Sequence, residues 1–93
     1  ADDAPEGKLA YYVTVGERVL DPACKYPAQM LATHAILAEH AGIGTRLTRT
    51  EAVALVTAHA EVLHTRQSPE RIYAFYQKRM EDEGWLKRDK ERV

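Results

Sequence analysis

Ninety-three residues leave room for one hydrophobic core and not for two. With 45% apolar and 29% charged residues the chain has the make-up of a folded globular protein rather than a disordered one, and no apolar run approaches the roughly 18 residues that a membrane span requires. A net charge of −1 excludes indiscriminate attraction to nucleic acid, which needs a broad positive field.

The first residues, ADDAPEGK, are acidic and polar. They lack the basic start and apolar middle of a signal peptide, so a cytoplasmic protein is expected, with residues 1–7 as a flexible tail and 8–93 as a single domain. The single cysteine, Cys24, rules out an internal disulfide and reads as a small buried apolar residue. Lys8 to Leu20 carries the β-formers Tyr11, Tyr12, Val13, Thr14 and Val15, with Leu9, Tyr11, Val13 and Val15 alternating onto one face. Gly16-Glu17 offers a bend, and Arg18-Val19-Leu20 a short return strand. Asp21-Pro22 and Pro27 make the next stretch a connection.

A first helix is expected from Pro27 to Ala41, stopped by Gly42 and Gly44. Ala28, Leu31, Ala32, Ala35, Ile36 and Ala38 form one broad face, and Met30 and Leu37 another. Thr48-Arg49-Thr50-Glu51 fits a capping box, so a second helix opens there and runs to about Leu63, with Ala52, Leu55, Val56, His59, Ala60 and Leu63 inward. A polar turn, His64 to Gln67, leads to a third helix. Ser68 caps it, Pro69 suits its first position and Glu70 meets the positive end of its dipole. Ile72, Phe75, Tyr76 and Met80 read as its buried stripe, with Tyr73 at the edge. Gly84 stops the helix, and Trp85-Leu86 resume with a different period.

Two helices joined by a four-residue turn are a helix-turn-helix signal. Beyond that, Arg79-Met80-Glu81-Asp82-Glu83-Gly84-Trp85-Leu86-Lys87-Arg88 resembles the end of the recognition helix and the first wing strand of winged helix-turn-helix DNA-binding domains. Leu47-Thr48-Arg49-Thr50-Glu51 is similar to the start of that family's second helix, and the resemblance covers residues 27–88. It implies an α+β fold of three helices with a small antiparallel sheet, and a third helix whose exposed residues, here Gln67, Arg71, Ala74, Gln77 and Lys78, face the major groove of double-stranded DNA. Five residues follow Arg88, so the family's second wing strand is not expected. Lys8 to Val15 offers Trp85-Leu86 a partner instead, in the order β–α–α–α–β.

Arg71, Ala74 and Lys78 lie on one strip at steps of three and four. Basic groups there suit phosphates, and Arg71 near the helix start suits a base edge; Gln67 and Gln77 add hydrogen-bonding capacity. Arg46 and Arg49 open the second helix, where phosphate is also favoured. A solvated helix face accounts for the same residues. Among Tyr73, Phe75, Tyr76 and Trp85, core packing is expected over stacking on bases.

His34, His40, His59 and His64 lack the three- or four-residue spacing of helical metal ligands, and no metal or cofactor is implied. His59 reads as a hydrogen-bonded core residue. Glu81, Asp82 and Glu83 sit where the dipole disfavours them and read as solvated surface. No nucleophile motif supports an enzyme. The expectation is a small DNA-binding protein of transcription regulation, using the third helix and gaining affinity as a two-fold homodimer. The alternative is a non-catalytic protein-interaction module of the same shape: an adaptor, a phage assembly part or an enzyme inhibitor.

Overall fold

The computed structural model describes residues 10–18, 23 and 25–91. The expected tail at 1–7, Cys24 and the Val19-Leu20 part of the return strand lie outside these residues; Arg18 belongs to no strand. The elements are β1 (Ala10–Val15), α1 (Ala28–His40), β2 (Arg46–Thr48), α2 (Arg49–Ala58), α3 (Pro69–Asp82) and β3 (Leu86–Glu91), with a short 3-10 helix (Ala60–Leu63) between α2 and α3. The fold is α+β: three helices against a three-stranded antiparallel sheet in the order β2-β1-β3.

The N-terminal strand does pair with the strand after the third helix. Val15 stands opposite Leu86 and Tyr12 opposite Asp89. On its other side Val13 meets Leu47 and Thr14 meets Arg46. Side chains alternate across a strand, so Val13, Val15, Leu47 and Leu86 line the inner face and are buried. Arg46 then falls on the outer face, over the Tyr12 ring (4.2 Å) and 3.2 Å from the Asp89 carboxylate. β2 itself was not expected, since only one of its three residues is buried and its partner lies 34 positions away in sequence (Val13 to Leu47).

Capping explains the starts of α2 and α3. The Thr48 hydroxyl accepts from the Glu51 backbone N–H at 3.0 Å and the Glu51 carboxylate accepts from the Thr48 N–H at 2.9 Å, a complete capping box. The Ser68 hydroxyl accepts from the Arg71 N–H at 3.1 Å, ahead of Pro69. Gly84, with φ +83°, ends the α3 region in the left-handed conformation that glycine adopts without penalty. The second helix is shorter than expected. Its α-helical part stops at Ala58, the 3-10 turn carries Leu63 into the core, and His64 at φ 50° turns the chain towards α3.

The core joins Val13, Val15, Met30, Ile36, Leu37, Val56, Ile72, Tyr73, Met80, Trp85 and Leu86. In α1 the fully buried residues are Met30, Thr33, His34, Ile36 and Leu37, which take in both Met30 and Leu37 of the second expected face and Ile36 of the first, while Leu31, Ala32 and Ala38 of the first pack at the margin of the core. Small alanines leave room at the helix margins, and the larger side chains fill the interior. Among the described residues no helix is long and apolar enough to cross a membrane.

Candidate nucleic-acid interface

The buried stripe of α3 differs from the expected one in a way that changes its exposed face. Ile72, Tyr73, Gln77 and Met80 are buried, and Tyr76 is packed partly against the core. Tyr73, expected at the edge, is fully enclosed, whereas Phe75, expected in the core, is 74% exposed. The stripe is turned by about 50° from the expected one, at 100° per residue. Gln77, expected on the outer strip, is 6% exposed, and its amide donates to the Glu81 carboxylate at 2.8 Å. The same turn centres the exposed face on Arg71 and Lys78, with Ala74 and Phe75 on either side.

Two depressions flank this ridge. One, about 190 Å³, is lined by Arg49 from α2, Ala74, Gln77, Lys78 and Glu81 from α3, and Arg88 from β3. The other, about 440 Å³, is lined by Gln29, Thr65, Gln67, Arg71, Phe75 and Tyr76. The fold therefore gathers Arg49, Ala74 and Lys78 on one side of the ridge, and Gln67 with Arg71 on the other. Arg46 is not brought to either, because strand alternation sends it to the opposite face of the sheet. Arg88 is the missed member. Its signal was the period of two from Leu86, which places both on the helix-facing side of β3.

Of the acidic residues after the ridge, Asp82 and Glu83 are exposed as expected and Glu81 is half-buried, and each has a partner. Glu81 meets the Arg88 guanidinium at 3.5 Å, Asp82 meets Lys78 at 3.4 Å, and Glu83 accepts from the Tyr26 hydroxyl at 2.6 Å. The Lys78–Asp82 pair is open to solvent, 84% and 62% exposed, so it is weak and yields readily to a stronger anion.

Behind the ridge, Trp85 is 1% exposed. Its ring meets Tyr26 edge-on at 4.8 Å and His34 at 5.5 Å, and its carbonyl accepts from the Gly16 N–H at 2.7 Å. His34 Nε2 lies 2.7 Å from the Gly16 carbonyl, which can only accept, so Nε2 carries the proton. Burial holds the His34 pKa below the ordinary 6.5, and the Arg18 charge acts in the same direction against hydrogen bonds to the backbone of Gly16 and Trp85. The unfolded chain then binds the extra proton first. Stability is intact above about pH 6.5 and declines as the pH falls from there towards the depressed folded value. Thermal melts from pH 7.5 to 5 are expected to show this decline in the wild type and a flatter profile in His34→Gln. Equal slopes would remove His34 from the account.

The remaining histidines form no ligand set. His40 and His59 stack with centroids 3.6 Å apart, so His59 is a half-buried ring partner rather than a core residue. Among the described residues no group of three or more histidine, cysteine or acidic side chains is placed to hold a metal ion. Compared with protein-family models, curated proteins and solved structures, the chain matches none.

Proposed function

We propose that this chain is a small, non-catalytic, double-stranded DNA-binding protein of regulatory type. In this reading α3 enters the major groove, and the start of α2 and β3 rest on the flanking phosphates. The observation that carries it is the convergence of Arg49, Lys78 and Arg88, from three separate elements, on one groove beside an exposed helix ridge. Arg71 to Lys78 spans roughly 10 Å along the helix axis, about three base-pair steps. A helix about 10–12 Å across fits a major groove of about the same width. One such helix reads a short site, so a two-fold dimer extends both affinity and site length.

The near-neutral net charge and the ion pairs Arg46–Asp89, Lys78–Asp82 and Arg88–Glu81 favour the second reading, a protein-interaction module of the same shape. Salt dependence separates the two. Titration of a mixed-sequence fluorescent duplex between 50 and 200 mM salt is expected to give a log–log slope of roughly −3, corresponding to about three neutralised phosphates per protomer. Absence of salt-dependent binding at low salt overturns the DNA reading and leaves the interaction module.

A further inference from the structure

Phe75 has no role in the fold that explains its placement. An apolar ring that is 74% exposed sits at the middle of α3, one turn after Arg71 and one turn before Lys78 and Arg79. It is not loose, because the Tyr76 ring stands edge-on to it at 4.8 Å and 83°, and Tyr76 itself packs against the core. Ala74, also exposed, adds a methyl group beside it. From Gln67 to Arg79 the exposed polar residues include Gln67, Arg71, Lys78 and Arg79 against a single acid, Glu70, so the surroundings of the ring are complementary to a polyanion.

Resting on the DNA-binding reading, the geometry points to Phe75 as a specificity-determining residue that reads thymine through its 5-methyl group. In the major groove thymine is the base that presents a methyl group, and apolar side chains such as Phe and Ala recognise it by contact. The flanking Arg71 and Lys78 hold the duplex close enough for that contact. Arg71, a turn nearer the helix start, is suited to the N7 and O6 acceptors of a guanine in the same site. The class of ligand is therefore duplex DNA with a thymine step at the centre of each half-site.

The test begins with selection of tight-binding duplexes from a random pool, followed by anisotropy on the best duplex and on the same duplex with deoxyuridine replacing thymidine, which removes only the methyl groups. Wild type is expected to lose roughly fourfold per contacted methyl. Phe75→Ala is expected to bind both duplexes alike while keeping its salt dependence, and Phe75→Leu to retain part of the preference. Circular dichroism melts of each variant are expected to match wild type, since the ring is outside the core. Salt-dependent binding with no difference between the two duplexes overturns this inference and leaves the DNA reading standing. A methyl preference that survives in Phe75→Ala overturns the assignment to this ring and points to Ala74. No DNA binding overturns both, and places the ring in a protein contact.

Discussion

Trp85→Ala is expected to cost about 3–5 kcal/mol, the largest loss from any single truncation in this chain. A domain of this length holds roughly 5–14 kcal/mol in total, so the variant loses from about a fifth of its stability to all of it. The size follows from what the indole joins. It is 1% exposed, it contacts Tyr26 from the connection and His34 from α1, and its backbone receives the Gly16 N–H and donates to the Met80 carbonyl at 2.8 Å. The indole itself is enclosed by Tyr26, His34 and the Arg18 guanidinium 6.0 Å over the ring, from three segments, while the two backbone bonds fix its strand start, so the cavity has little freedom to collapse. Trp85 is the chain's single tryptophan, so its fluorescence disappears with the substitution and urea unfolding is followed by circular dichroism instead. The midpoint is expected to fall with the slope unchanged, and the melting temperature by roughly 12–40 °C. A loss under 1 kcal/mol is incompatible with this packing.

Much of this architecture was legible because its determinants are local. Thr48 with Glu51, Ser68 with Pro69, and Gly84 each act within one turn of chain, and each fixes a boundary that the sequence shows directly. The pairing of β1 with β3 was legible for a different reason. The alternating Val13 and Val15 needed a covered face, and Trp85-Leu86 supplied the other apolar strand start. β2 was not legible, since Arg46, Leu47 and Thr48 become a strand only because β1 is there to pair with them. Nor was the rotation of α3. Aromatic rings at 73, 75 and 76 satisfy two stripes that share Ile72, Tyr76 and Met80, and local periodicity cannot separate them. The tertiary environment encloses Tyr73, and the tether from Gln77 to Glu81 makes a buried amide tolerable. The candidate site inherits this division. Arg71, Ala74 and Lys78 were readable at helical spacing, whereas the inclusion of Arg88 and the removal of Arg46 depend on the sheet.

That division supplies the sharpest test of the interface. Arg71→Ala with Lys78→Ala is expected to lower affinity for a selected duplex by roughly 100-fold at low salt and to reduce the salt slope by about 1–2. Lys78→Ala alone is expected to weaken all sequences about equally, while Arg71→Ala weakens the preferred duplex most, by roughly 5–150-fold. Both side chains are exposed, so melting temperatures should move little. Arg46→Ala is the control that the sheet topology makes decisive. By sequence, Arg46 stands beside Arg49 at the same helix start; in space it lies on the outer face of the sheet, over Tyr12 and beside Asp89. Its removal is expected to change affinity by less than about twofold at fixed salt, because its guanidinium faces away from the groove and is already met by a carboxylate. A loss for Arg46→Ala equal to that for Lys78→Ala means that the duplex is held by diffuse positive charge rather than by the α3 ridge. The interface must then be redrawn around the sheet.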